Sequence, residues 1–330
     1  MAHYLEIMNI EETFLTFEEA KSAIEKLKSC SWPEFKEDDD VDEYVKSIFE
    51  IITSEFKKYP NFLLPLKPKD FNFGIFRVRE VSTNVNLNLF KEHSYPPPSV
   101  TKLGRCNFPK FPVFYGSTNP ITALAETTRT ENTLGRKFCI SSWEIIKTNQ
   151  TFVFESFLQT SLHPKNMFDL LAKMLVEKID EPLKELPQSQ KLGMLEFLKF
   201  TDDQFINDKN YNISASFAHR RIYGKHNMCT DILMYPSIQT GKQGVNLAIN
   251  PNFVENHMRI KRFYIVEPQS YNHEKGSYNI TIHKYGEIKK NVIFWKNLDP
   301  KDKLYQKYIK LDFKDSFGPN KKLTFTHNEP

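Results

Sequence analysis

GRCNFPKFPVFYGSTNPITALAETTR, residues 104–129, has the pattern of a loop, a short strand, a capped turn and a helix. A Gly-Arg pair and a proline-bounded loop lead into a short apolar run, residues 112–116. Ser117, Thr118 and Asn119 then offer helix caps, and Pro120 stands where a first helical turn tolerates proline. Ile121, Leu124, Ala125 and Thr128 fall on one side of the helix that follows, and Glu126 falls off that side, free to face a cleft. A strand–turn–helix that carries Arg105, Tyr115 and Glu126 makes a candidate site for an anionic, ring-containing ligand.

Upstream, the pattern is helical. Thr16 and Glu19 have the form of a capping box, and Asp40 precedes an amphipathic stripe of Tyr44, Val45, Ile48, Ile52 and Phe56. These two helices and their acidic linker form an N-terminal helical region, 1–70, which either completes the core, covers the cleft or docks a basic partner. From Phe71 the texture changes. FNFGIFRVRE reads as a strand with Arg77 and Arg79 pointing outward, and Tyr95-Pro96-Pro97-Pro98 excludes helix and central strand.

Downstream, strands are expected at 137–146 and 151–157, and helices at 164–186, around 191–200 and at 214–223. Further strands are expected at 231–235, 245–249, 262–266 and 278–283. Strands and helices alternate without regular βαβ spacing, which predicts an α+β fold.

With 330 residues, 40% of them hydrophobic and 14% aromatic, the chain can bury a sizeable core. Its four cysteines form no CxxC pair, which argues against a zinc ribbon or disulfide framework. The N-terminus lacks the form of a secretory signal and no run is long enough to span a membrane, so a cytoplasmic location is expected. Charge is uneven. Residues 1–60 carry 15 acidic and 7 basic side chains, whereas 256–330 carry 15 basic and 8 acidic. The lysines are dispersed, so two solvated surfaces explain this better than direct nucleic-acid binding.

Four pieces in order, FRVR, GRCN, VFYGSTNPITALAE and DILMYPSIQTGKQGVNLAI, resemble the RES domain over roughly residues 72–255. The resemblance implies an ADP-ribosyltransferase-like mixed β-sheet core with flanking helices in a catalytic domain, 71–255. Residues 256–330 would be a basic extension whose strands pack on the same domain. The arginine, glutamate and serine that give that domain its name would be Arg77, Glu126 and Ser237, with Arg105 and Tyr115 at further motif positions.

The implied activity consumes NAD as a substrate, without a metal. The nicotinamide–ribose bond would be cleaved with phosphate, water or a protein side chain as acceptor. The implied setting is a toxin held by a helix-turn-helix antitoxin. The length of this chain departs from a compact toxin of that kind.

The chemistry explains the residue types. Cleavage of the bond passes through an oxocarbenium-like state, and a carboxylate such as Glu126 stabilises its positive charge. Arg77 and Arg105 can bind a pyrophosphate bidentately. Tyr115 can stack on nicotinamide, and Ser237 can hydrogen-bond the ribose or the carboxamide.

Each residue also has an ordinary structural reading. Glu126 can pair with Arg129 or Thr130, Arg77 and Arg79 can be outward strand residues, and Arg105 can hold a loop carboxylate. Tyr115 can be core and Ser237 a turn residue. His219 and His226 could bind a metal on one long helix, but no carboxylate or cysteine partner accompanies them. The alternative function is a non-catalytic protein that holds a nucleotide or nucleic acid in the same basic cleft.

Overall fold

The computed structural model describes residues 14–59, 64–70, 73–129, 133, 135–146, 149–158, 162–163, 166, 168–169, 172–173, 186–224, 229–272, 277–299 and 301–314. In chain order the elements begin with α1 (Phe17–Ser29), α2 (Val41–Phe56), β1 (Leu64–Leu66), β2 (Ile75–Glu80), β3 (Phe114–Ser117), α3 (Pro120–Thr128), β4 (Phe138–Ile145) and β5 (Phe152–Ser156). They continue with α4 (Gln188–Asn207), α5 (Asn212–Ile222), β6 (Ile232–Pro236), β7 (Val245–Ile249), α6 (Pro251–His257), β8 (Met258–Asn272), β9 (Ser277–Lys289), β10 (Val292–Asn297) and α7 (Lys303–Phe313). The chain is α+β, the class its sequence predicts. Most of the helix expected at 164–186, and His226, lie outside the described residues.

The elements divide into two compact units that each draw on separated parts of the chain. The first comprises Met1–Leu64, Pro97–Pro112 and Val153–Leu233, and the second Pro65–Pro96, Val113–Phe152 and Met234–Pro330.

The first unit is built on helices. Glu19 accepts from the Thr16 backbone N–H at 2.8 Å, so the capping box forms at the head of α1. Asp40 accepts from the Glu43 N–H at 3.0 Å and starts α2. α1 packs on α4 and α2 on α5. The stripe Tyr44, Val45, Ile48, Ile52 and Phe56 is buried, as its spacing requires. Phe56 meets Phe197 with ring centroids 4.6 Å apart, and Phe49 meets Phe217 at 5.7 Å. Full burial of such side chains is worth about 1.5–3 kcal/mol each, so α1 and α2 are part of this unit's core.

The second unit is built on a sheet. Its strands neighbour one another in the order β7-β3-β2-β4-β8-β9-β10, and each adjacent pair is antiparallel. Side chains alternate between two faces. One face gathers Phe76, Val78, Phe138, Ile140, Tyr264 and Val266 under Ala123 and Leu124 of α3 and under Tyr305, Ile309 and Phe313 of α7. The other gathers Cys139, Phe263, Ile265 and Ile293. At its C-terminal end α7 is fastened to β8 by a buried ion pair. Arg262 donates to both oxygens of Asp312 at 2.5 and 2.7 Å, and the Tyr264 hydroxyl donates to the same carboxylate at 2.6 Å.

Candidate active site

The site grows out of the turn between β3 and α3. Asn119 has extended backbone, and its Oδ1 accepts from the Ile121 N–H at 2.8 Å and the Thr122 N–H at 3.3 Å, which makes it the N-cap. Pro120 follows at the first helical position, where its missing N–H costs nothing. The helix ends at Arg129, which caps it with a left-handed backbone and donates its N–H to Ala125 O at 2.8 Å. Leu124, Ala125 and Thr128 are buried, Ile121 is partly buried, and Glu126 is half-buried.

Glu126 is held from a distance in sequence. Its Oε1 accepts from Ser237 Oγ at 2.6 Å and from Asn246 Nδ2 at 2.8 Å. Both donors flank one connection, with Ser237 after β6 and Asn246 in β7. That connection is closed on itself: Ser237 N–H donates to Gly244 O at 2.9 Å and Lys242 N–H to Ser237 O at 2.8 Å. The Gly244 N–H donates to Thr240 Oγ1 at 3.0 Å.

Gly244 is required by close approach, since a Cβ there would stand 2.2 Å from Thr122 Oγ1 in α3. Loop and helix are thereby packed without room between them. Asn246 is itself bound, because Ser117 Oγ donates to its Oδ1 at 2.8 Å. Ser237, Asn246 and Ser117 are only 0%, 4% and 1% exposed, so Glu126 is the member of this group that a ligand can reach. Glu126 Oε2 has no partner among the described residues.

Arg77 lies on β2, beside β3. Its Nη1 donates to Tyr115 O at 2.9 Å, and its guanidinium carbon stands 5.3 Å from the Phe114 ring. Its Nε is sealed from solvent without a partner. No carboxylate pairs with it among the described residues. Burial, reinforced by the charge of Arg79 and opposed by Tyr115, pushes its pKa down to about 10. Arg79, two positions on, is engaged differently. Its Nη1 donates to Glu92 Oε2 at 2.6 Å and to Glu92 O at 2.8 Å. The two arginines of FRVR are therefore unlike: one is closed off by a carboxylate and the other carries an unopposed charge.

Arg105 and Tyr115 have distinct surroundings. Arg105 belongs to the first unit, where its Nη1 donates to Phe205 O and to Ile206 O, the latter at 2.9 Å, and its guanidinium lies over the Tyr211 ring at 5.2 Å. It ties up carbonyls at the end of α4. Tyr115 is partly buried on β3 and presents its carbonyl to Arg77.

His219 is buried among the rings of Phe108, Phe111 and Tyr223. Burial, against the pull of Asp42, pushes its pKa down to about 4. Among the described residues, no group of three or more His, Cys, Asp or Glu side chains could hold a metal ion.

Sequence reasoning overlooked Asn246 and Ser117. The signal for Asn246 was present, because VNLAI is a fully buried strand with one large polar side chain, and a buried amide needs partners.

Of the expected site residues, Glu126 and Ser237 are joined directly by a hydrogen bond, whereas Arg77 and Arg105 bond to backbone carbonyls and not to Glu126. The chain belongs to the RES-domain family, whose model matches residues 75–271, more than half of its length. That family has an ADP-ribosyltransferase-like fold and is associated with toxins that use NAD. No curated relative and no solved structure matches the chain. Among the described residues, no helix is long and apolar enough to cross a membrane.

Proposed function

We infer that the chain is an NAD-consuming enzyme that cleaves the nicotinamide–ribose bond, with residues 71–255 as its catalytic stretch. The observation that carries this reading is the Glu126 carboxylate, with Oε1 occupied by two donors and Oε2 without a partner. Fixed in this way, Glu126 meets the positive charge that develops on the ribose as the glycosidic bond lengthens, with little reorganisation during the reaction.

Arg77 takes the pyrophosphate. A partly buried guanidinium with an orphan Nε and no carboxylate gains more from an anion than one already paired. Tyr115 stacks on nicotinamide. Ser237 has no exposure, so its role is to hold Glu126 instead of touching the ribose. We leave Arg105 with the end of α4 and keep the pyrophosphate contact for Arg77.

Phosphate, water or a protein side chain completes the reaction as acceptor. A toxin role, and restraint by a helix-turn-helix antitoxin, follow from the family's association. The test is nicotinamide release from NAD by the purified chain, with and without phosphate. Release that depends on phosphate identifies a phosphorylase, and release without it a glycohydrolase. Labelling of protein with ADP-ribose identifies a transferase. NAD binding without any of the three supports the alternative, a nucleotide-holding protein, and overturns the enzyme reading.

A further inference from the structure

We propose that Ser117 is a positioning residue for Glu126, acting through Asn246. Its hydroxyl fixes which way the Asn246 amide points, and so leaves Oε2 as the carboxylate oxygen open to the ribose. The proposal rests on the NAD-cleaving reading given above.

The two ends of an asparagine amide have nearly the same shape, and either orientation fills the same space. Here the two ends meet different groups. Oδ1 accepts from Ser117 Oγ at 2.8 Å, and Nδ2 donates to Glu126 Oε1 at 2.8 Å. Reversed, the amide would set Oδ1 against Oε1, two acceptors with no hydrogen between them. Glu126 favours the productive orientation only while it is ionised and in place.

Ser117 supplies the second constraint, and it does so from the sheet. Ser117 and Asn246 are register partners across β3 and β7, and Ser117 is also paired with Phe76 on β2. Backbone pairing on both sides therefore sets its position. The two donors to Oε1 thus have different anchors. Ser237 belongs to the loop, whereas Asn246 is fixed from the strand through Ser117. Neither Ser117 nor Asn246 is exposed enough to meet a ligand, so the effect of each must pass through Glu126.

Ser117→Ala removes the hydroxyl with the least loss of volume. Nicotinamide release should show kcat down about 5–20-fold with KM for NAD within about twofold, since the loss lies in the transition state and not in substrate binding. Ser117→Thr restores a hydroxyl on a residue suited to a strand, and kcat should return to within about threefold of the parent. Should Ser117→Ala fail to fold, Ser117→Cys keeps the size and a weak donor, and the same split of kcat from KM is expected.

An alanine variant that folds and keeps full kcat overturns the proposal. So does a threonine variant that folds but stays as slow as the alanine one. Glu126→Gln in the same assay separates the two levels of failure. If it retains full activity, the site reading itself falls; if it is inactive while Ser117→Ala is fully active, only the role of Ser117 falls.

Discussion

Arg221 of the helical unit is buried and Arg77 of the sheet unit partly so, and the chain treats them in opposite ways. Arg221 has a partner at each of its three nitrogens. Its Nε donates to Glu155 Oε2 at 2.8 Å, Nη2 to the Tyr59 hydroxyl at 3.0 Å and Nη1 to Phe217 O at 3.0 Å. Burial works against its charge, yet Tyr59 and Glu155 outweigh that and hold its pKa above the ordinary arginine value. Arg77 has one carbonyl, one orphan nitrogen and a lowered pKa. A buried charge with a carboxylate and a partner at every nitrogen is an internal fastening. One left unmet retains its attraction for something that comes from outside.

The contrast can be broken most forcefully at Arg221. Arg221→Met leaves the Glu155 carboxylate buried and unpaired, and about 3–5 kcal/mol of stability should be lost in denaturant unfolding. A variant of nearly parental stability would mean that water or a neighbour takes over the carboxylate, and that the number of partners is no guide to structural role.

Glu126→Gln tests the sheet unit in the opposite currency. Nicotinamide release should fall about a hundredfold or more while the thermal midpoint barely moves, because a neutral amide keeps size and loses charge. Arg77→Lys preserves charge and discards the planar fork. NAD binding by calorimetry should weaken about tenfold, with stability changed by less than about 1 kcal/mol. The smallest effect belongs to Arg79→Lys, for which NAD affinity should stay within about twofold, since Glu92 already occupies that arginine. The reverse ranking of Arg77 and Arg79 would move the anion contact to the wrong residue of the pair and undo the comparison.

What the sequence disclosed of this molecule follows the range of the interactions involved. The head of α3 was readable because Asn119, Pro120 and the apolar spacing act within a few residues of one another. The stripe on α2 was readable for the same reason, and it is buried as spaced. Strand β7 appeared at its true limits between a glycine-bearing turn and Asn250-Pro251.

The surroundings of Glu126 were not readable from local pattern, because Ser237 and Asn246 reach it across 111 and 120 positions. Arg105 shows the same limit from the other side. It sits beside a promising motif, but its guanidinium goes to carbonyls 100 and 101 residues away. α7 was also hidden. It lies in the basic extension that was expected to contribute strands, and only the sheet face that receives Tyr305, Ile309 and Phe313 reveals why it is a helix.

The connection from β6 to β7 has a consequence for how this protein can be silenced. Ser237 and Asn246 stand at its two ends, and the hydrogen bonds that close it set the place of Ser237, while Ser117 and the strand pairing hold Asn246. A point substitution takes one donor from Glu126 and leaves the other. A protease that nicks the chain between Ile238 and Lys242, beside the exposed Ile238 side chain, would release Ser237 and leave Asn246 held by Ser117. The carboxylate then keeps only the donor that the strand supplies, without any damage to the strands that carry the rest of the unit.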